Sequence, residues 1–244
     1  MMNEKVKELG LKNTHFVNPT GLDEDNHYST AYDMALIAKE LLRYEEILDF
    51  SKVYEDYLRV DSPNKFWLVN TNKLVRLYNG ADGLKTGFTD NAGYCMAVTA
   101  KRDDMRLISI TLGEKSGKDR NSETMELLDY GFNNYKVNLI KSKNEIIKEI
   151  ALDKADKEKI GITPVEDVNI LSKKSDSFIR YKTEIKLNDI NYPIKKGDII
   201  GKILVKDNNK VIRTVDLTVN DNIKKVGFIN LFGRTLRNIL SGKF

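Results

Sequence analysis

The sequence has few of the residues that build cross-linked or metal-dependent proteins. Its 244 residues include one cysteine, Cys95, and two histidines. One cysteine cannot form an intrachain disulfide, and a zinc site made from these three side chains would still need carboxylates. Four prolines and 15 glycines also exclude collagen-like and wholly disordered chains. We therefore expect a folded protein without a structural metal, a disulfide or a cofactor.

Long apolar runs are absent as well. No stretch of 18 apolar residues occurs, so no segment has the composition of a usual membrane-spanning helix. The first residues lead directly into a short charged helix that Gly10 would close, and they do not have the pattern of a signal peptide. Taken literally, the sequence predicts a chain that stays in the cytoplasm.

Charge is distributed unequally along the chain. Residues 1–136 contain 18 Lys/Arg and 22 Asp/Glu, a net charge of −4, whereas residues 137–244 contain 22 and 14, a net charge of +8. This asymmetry indicates two domains with different surroundings. The lysines of the second half are spread among predicted strands without interleaved aromatic residues, so we expect no nucleic-acid partner.

The first half combines helical periodicity with β-rich runs. Thr30, with Asp33 three residues later, predicts a capped helix whose apolar residues recur at spacings of three and four. The runs Tyr94–Thr99 and Arg106–Leu112 flank a charged turn and predict an antiparallel strand pair. A further helix, packed on that sheet, is expected from about Asn121 to Tyr135.

The second half has a different pattern. Short Ile, Val and Lys alternations broken by Asn, Asp and Gly, such as Ile199–Val205, predict an all-β domain. The last residues return to helical spacing, with Phe228, Phe232, Leu236 and Leu240 on one stripe. Such a stripe on a basic terminal helix is typical of a helix in the headgroup plane of an anionic membrane. A terminal helix docked on its own domain is the alternative.

One local motif carries possible chemistry. Lys85-Thr86-Gly87 lies on a predicted strand and precedes the predicted strand pair. A glycine on an edge strand lets a ligand's backbone approach closely, a lysine supplies a cation, and a threonine hydroxyl can bind a carboxylate. His15 and His27 lie in a predicted loop and are interpreted as structural. Cys95 lies within a predicted strand and is interpreted as a small buried residue.

The residues around this motif resemble a known family. The segment Asp82–Thr89, followed by Ala92-Gly93-Tyr94, is similar to the D-alanyl-D-alanine carboxypeptidases, low-molecular-weight penicillin-binding proteins of the serine β-lactamase-like superfamily. The similarity covers essentially the whole chain. Further matching segments are Leu9–Phe16, Asn18–Leu22, Ser29–Ala35, Asn70–Asn72, the β-rich second half and the amphipathic tail.

The resemblance implies an α+β fold in three parts. Residues 1–136 would be the C-terminal part of a β-lactamase/transpeptidase-like domain, an antiparallel sheet with packed helices. Residues 137–225 would form a small all-β domain, and residues 226–244 an amphipathic membrane-anchor helix. The implied location is the outer face of the bacterial cytoplasmic membrane.

The resemblance also implies a reaction and residues that perform it. Such enzymes remove the terminal D-Ala from peptidoglycan stem peptides ending in D-Ala-D-Ala, and β-lactam antibiotics acylate their serine. Lys85 would be the electrostatic partner of the nucleophile, and the backbone N–H of Phe88 would be an oxyanion-hole donor. Thr86 and Gly87 would bind the substrate, and the planar guanidinium of Arg120 would pair with its carboxylate. An ordinary loop arginine is the alternative for Arg120.

Two family motifs are not in their expected places. The family uses Ser-x-x-Lys, Ser-x-Asn and Lys-Thr-Gly in that order, and only the last is in position. Ser62-Pro63-Asn64-Lys65 and Ser142-Lys143-Asn144 match the first two literally. However, Ser62 lies in a predicted polar loop, and Ser142 follows Lys85 in the chain. We therefore expect an N-terminally truncated chain that is inactive alone. The alternative is a non-catalytic, membrane-associated scaffold module of the cell envelope.

Overall fold

The computed structural model describes residues 1–152, 155–157, 159–176, 181–189 and 191–240. The chain divides into two compact units, Met1–Tyr135 and Lys136–Phe244. The last four residues of the predicted helix 226–244 lie outside the described residues. The assignment of three functional parts, 1–136, 137–225 and 226–244, stays a prediction.

The first unit is built around a three-stranded antiparallel sheet. Its elements are, in chain order, α1 Met2–Glu8, α2 Ala31–Leu41, α3 Ile47–Ser51, β1 Glu55–Leu58, β2 Phe66–Val69, α4 Leu74–Leu77, β3 Ala81–Thr89, β4 Gly93–Arg102, β5 Met105–Glu114 and α5 Gly117–Asn134. The sheet has the order β3-β4-β5, so β3 is an edge strand. Strands β1 and β2 form a separate antiparallel hairpin.

The end of the first helix and the start of the second have the capping contacts that the sequence predicts. Gly10 has a φ of 69°, and the N–H of Leu11 bonds to the carbonyl of Val6, which closes α1. The hydroxyl of Thr30 accepts the N–H of Asp33 at 3.2 Å at the start of α2.

Helix α5 begins earlier than predicted. It starts at Gly117 rather than at Asn121, because the hydroxyl of Ser116 accepts the N–H of Asp119 at 3.0 Å and caps the helix. Arg120 consequently lies in the first turn of a helix. The structure therefore corrects the predicted loop position of Arg120, and whether this arginine has a functional role stays a prediction.

The core of the first unit lies between the sheet and its helices. Its buried apolar side chains include Leu74, Met96, Val98, Ala100, Leu128 and Phe132. Leu128 and Phe132 come from α5, one helical turn apart, so the spacing of four residues places both against the sheet. This packing holds the sheet whose edge strand, β3, carries the Lys-Thr-Gly motif.

The β1–β2 hairpin is apolar and exposed on both faces. Tyr57 pairs with Trp67, and Leu58 pairs with Phe66. These four side chains are 44%, 55%, 50% and 53% exposed, respectively. A two-stranded hairpin is marginally stable alone, so it depends on the rest of the unit. Because Trp67 is the single tryptophan, its fluorescence reports on this unit.

The second unit consists mainly of β-structure. Its elements are β6 Tyr135–Lys141, which begins at the unit boundary, β7 Lys148–Ala151, β8 Lys159–Pro164, β9 Val168–Lys173, β10 Lys182–Leu187, β11 Gly201–Asp207, β12 Lys210–Val219 and α6 Phe228–Leu240. One sheet has the order β10-β11-β12-β8-β7, and β6 pairs with β9. Isoleucine, valine and leucine side chains from these strands form its core. The predicted α+β architecture, followed by an all-β part and a terminal helix, is confirmed.

Candidate active site

The Lys-Thr-Gly motif lies on the edge strand β3. In an edge strand, backbone groups that face away from the sheet are free to bind another chain. A Cβ atom added at Gly87 would meet no heavy atom within 4 Å, so β3 is open to a ligand there. The ammonium of Lys85 donates to the backbone carbonyl of Thr86. The ring of Phe88 is 54% exposed, and its centroid lies 4.4 Å from that of Tyr94 on β4.

Thr86 is buried, but its hydroxyl meets a second hydroxyl. Its side chain is 7% exposed, and its Oγ1 donates to the Oγ1 of Thr71 at 2.7 Å. Thr71 itself is exposed. Two neighbouring hydroxyls therefore lie at the centre of the motif, and one of them belongs to an exposed residue.

Hydrogen bonds from distant parts of the first unit fix both ends of β3. The side chain of Asn72 is fully buried, and its Nδ2 donates to the carbonyl of Gly83 at 3.0 Å. At the other end, the hydroxyl of Thr89 donates to the carboxylate of Asp23 at 2.6 Å. The motif residues between them are consequently held in a fixed backbone geometry.

Arg120 is a buried cation without a carboxylate partner. It is 9% exposed, and its Nε and Nη2 atoms both donate to the amide oxygen of Asn121, at 3.2 and 3.0 Å. In the part of the chain that the structure describes, no carboxylate forms an ion pair with it. Burial lowers the pKa of Arg120, and the nearby Cys95 and Tyr94 raise it in part. An arginine nevertheless keeps its charge in a protein.

The sheet register brings Arg120 close to the motif. A Cβ atom added at Gly117 would lie 3.6 Å from the Tyr94 ring and 3.8 Å from Arg120 Nη2, and Tyr94 is the β4 partner of Phe88. Arg120 on α5 and the Lys-Thr-Gly motif on β3 therefore lie on either side of Tyr94 in the first unit. Their roles remain predictions.

The other candidate side chains have local structural contacts. His15 Nδ1 donates to the carbonyl of Asn26 at 2.7 Å, and His27 Nδ1 accepts the N–H of Val17 at 3.1 Å. Cys95 is half-buried rather than fully buried, because its thiol lies near the strand end and donates to the carbonyl of Ala92 at 3.3 Å. Across the described ranges, no three His, Cys, Asp or Glu side chains form a group that could hold a metal ion.

Comparison with known families identifies both units. A family model described as D-alanyl-D-alanine carboxypeptidase matches residues 1–116, and a model described as penicillin-binding protein 5, C-terminal domain, matches residues 135–225. The first unit thus matches the D-alanyl-D-alanine carboxypeptidase family over residues 1–116. The resemblance seen in the sequence is therefore confirmed, and so is its extension over both halves.

Individual carboxypeptidases support the same assignment. DacF of Bacillus subtilis is 44% identical over 236 residues, which cover 96% of this chain and 61% of DacF. DacA of Haemophilus influenzae is 32% identical over 96% of this chain and 58% of DacA. The crystal structure of penicillin binding protein 5 from H. influenzae matches with a TM-score of 0.67 and 32% identity, over 92% of this chain and 65% of that one. The chain thus spans about three fifths of the length of these relatives.

The two literal matches to the family's serine motifs lie in unsuitable places. Ser62 is in the turn of the β1–β2 hairpin, where its Oγ accepts the N–H of Asn64 at 3.2 Å. Lys65 places its ammonium 4.0 Å from the centre of the Tyr57 ring. Ser142 belongs to the second unit, whereas the Lys-Thr-Gly strand belongs to the first. Ser62 does not begin a helix with Lys65 one turn later, as the acylation chemistry requires.

Some residues of the site had no assigned role in the sequence. Thr71 and Asn72 belong to the matching segment Asn70–Asn72, but no chemical motif marks them. Asp23 lies in a loop whose contact with Thr89 spans 66 residues of sequence. A pair of asparagines around one threonine is a turn signal, and it could have indicated a fixed loop before β3.

Proposed function

We propose that this chain forms the substrate-carboxylate and oxyanion side of a serine D-Ala-D-Ala carboxypeptidase. The substrate would be a peptidoglycan stem peptide ending in D-Ala-D-Ala, and β-lactams would bind the same site. In the reaction, a serine attacks the penultimate D-Ala carbonyl, the terminal D-Ala leaves, and water hydrolyses the acyl-enzyme.

The buried, unpaired charge of Arg120 is the observation that carries this proposal. A charge taken out of water is costly unless an opposite charge compensates it. Among the described residues, the Arg120 guanidinium donates only to the neutral amide of Asn121, so an incoming carboxylate would supply the missing charge. A guanidinium can also bind a carboxylate through two parallel hydrogen bonds.

The remaining residues take roles that fit their positions on β3. Thr86 would hold the terminal carboxylate with its hydroxyl, and the open face at Gly87 would accept the peptide backbone. Lys85 would stabilise charge near the nucleophile, and the backbone N–H of Phe88 would be one oxyanion donor. We assign the nucleophile to none of the 244 residues, and we expect it in the part of the family domain that they do not span.

Two measurements on the 244-residue chain test this proposal. Incubation with excess benzylpenicillin should leave the intact mass unchanged, because no serine among the described residues begins a helix with a lysine one turn later. A mass increase of one penicillin would contradict the assignment of the nucleophile, and peptide mapping would then locate the serine.

The second measurement is equilibrium binding of Nα,Nε-diacetyl-L-Lys-D-Ala-D-Ala, followed by ¹⁵N–¹H NMR. The amides of residues 85–88 should shift saturably, and the L-Ala-L-Ala peptide should have no effect. Arg120→Gln should weaken binding by roughly 10- to 100-fold, which corresponds to a charged hydrogen bond of about 1.5–3 kcal/mol. The control Arg43→Gln removes an exposed arginine of the same unit and should bind normally. Absence of any shift in the unmodified chain would refute the proposal.

We also propose that α6 lies on an anionic membrane surface, at the outer face of the cytoplasmic membrane. The support is a set of exposed apolar side chains: Phe228, Ile229, Phe232, Leu236, Ile239 and Leu240. A cavity of about 510 Å³ beside α6 is lined by Lys224, Lys225 and Arg237, together with one acid, Asp156. Within the described residues, no helix is long and apolar enough to cross a bilayer.

Vesicle sedimentation tests the membrane proposal. The chain should bind phosphatidylglycerol-containing vesicles and should bind pure phosphatidylcholine poorly. Reversing two charges with Lys224→Glu and Lys225→Glu should weaken binding about tenfold or more, since each basic residue contributes about 1 kcal/mol. Lys182→Glu with Lys210→Glu makes the same change in net charge away from α6 and is the control. Equal loss in both double variants would argue against a role for α6.

A further inference from the structure

Thr71 is placed beside the motif by a rigid turn. Asn70 Nδ2 donates to the carbonyls of Ser51 and Val53 at 3.0 and 2.9 Å, and its Oδ1 accepts the N–H of Asn72 at 2.8 Å. These bonds fix the residue before Thr71.

The residue after Thr71 is fixed as well. Asn72 Nδ2 donates to the Gly83 carbonyl, and its Oδ1 accepts the N–H of Leu74 at 3.1 Å. Thr71 is therefore held between two anchored asparagines. Its β-branched side chain also has few rotamers. The position of its hydroxyl is set by the fold and not by the chance orientation of a mobile side chain.

The direction of the hydroxyl pair has a chemical consequence. A hydroxyl carries one proton and two acceptor lone pairs. Thr86 directs its only proton to Thr71, so the Thr71 proton is the one still available. In the described part of the chain, no hydrogen bond uses that proton.

We propose that Thr71 is a positioning residue of the carboxylate site, and this inference rests on the proposed function. When a carboxylate binds, the Thr86 hydroxyl turns its proton to the ligand and accepts the proton of Thr71. Each proton stays on its own oxygen, and no covalent bond changes. The second hydroxyl polarises the first, and so strengthens its charge-assisted bond to the carboxylate.

The test uses the 244-residue chain and the diacetyl-Lys-D-Ala-D-Ala titration. Thr71→Val keeps the shape of the side chain and removes the hydroxyl, so the apparent Kd should rise about five- to tenfold. Thr71→Ser should restore binding to within about twofold of the original. Thr20→Val is the control, since it removes an exposed hydroxyl that donates to Asn18 in the same unit.

A double-mutant cycle separates positioning from a general structural loss. If Thr71 acts through Thr86, then Thr71→Val should have little further effect in a Thr86→Val background. Additive losses, or a Thr71→Ser variant that remains as weak as Thr71→Val, would overturn the inference. Thr71→Ala provides a second hydroxyl-free variant if the valine disturbs folding.

The titration also distinguishes this inference from the function on which it rests. An unmodified chain that binds no peptide refutes the proposed function, and this inference fails with it. A chain that binds normally, and a Thr71→Val variant with the same Kd, refute the role of Thr71 alone.

Discussion

Replacing Asn72 by aspartate should loosen the strand that carries the motif. The substitution keeps the size of the side chain and one of its two interactions, because an aspartate oxygen can still accept the N–H of Leu74. The other bond is lost, since an oxygen replaces the Nδ2 that donates to the Gly83 carbonyl. In the fully buried aspartate, a carboxylate oxygen would lie about 3.0 Å from the Gly83 carbonyl oxygen, and neither oxygen could donate a hydrogen.

The size of the effect follows from these contacts. Loss of a hydrogen bond contributes about 1 kcal/mol, and an unsatisfied buried carbonyl adds about 1–3 kcal/mol. We expect Asn72→Asp to lower the free energy of unfolding of the first unit by about 2–4 kcal/mol. With a urea dependence of about 2 kcal/mol per molar, the midpoint should fall by roughly 1–2 M.

Urea unfolding followed by the fluorescence of Trp67 measures this change in the correct unit. Asn64→Asp, in the exposed hairpin turn, is the matched control and should change stability by less than about 0.5 kcal/mol. The difference between the two variants should shrink at low pH, where a protonated aspartate can again donate to Gly83. If both variants unfold at the same urea concentration, the Asn72–Gly83 bond does not hold β3 as argued.

Three further outcomes are expected. Leu128→Ala, in the core under α5, should cost the first unit roughly 2–5 kcal/mol in the same fluorescence assay, and a smaller loss would mean that the site collapses around the gap. Gly201→Ala should lower the melting temperature of the second unit, since its Cβ would lie 2.3 Å from the Lys186 carbonyl, while Gly227→Ala meets no atom within 4 Å and should not. Burial, followed by the hydrogen bond to Asp129, raises the pKa of Tyr78 from 10.0 to about 12. The stability from this group is present below pH 10 and lost as pH rises towards 12, so Tyr78→Phe should abolish that part of the decline in unfolding free energy, and an unchanged pH profile would count against it.

Local signals explain what could be predicted from the sequence. Thr30 with Asp33 marks a helix start because the bond lies within one turn, and the alternating runs of β4 and β5 follow from side-chain period alone. Ser116 with Asp119 is the same kind of signal, but it lies beside a glycine, and the apolar spacing alone predicts a start at Asn121.

The contacts of the site could not be predicted in this way. The Thr71–Thr86 bond joins residues 15 positions apart through a turn that only the folded sheet creates. Hydroxyl pairs have no sequence pattern of their own, because threonine is common on exposed strands. The partners of Arg120 likewise depend on how α5 packs and on which side chains reach it.

The Asp23–Thr89 bond has a consequence for the order of folding. It closes a loop of 66 residues, and such a closure becomes favourable only after the intervening strands have paired. We expect this contact to be absent from the folding transition state. Asp23→Ala should then accelerate unfolding in stopped-flow experiments and leave the folding rate nearly unchanged. One end of the candidate site would thus be the last part of the unit to form and the first to open.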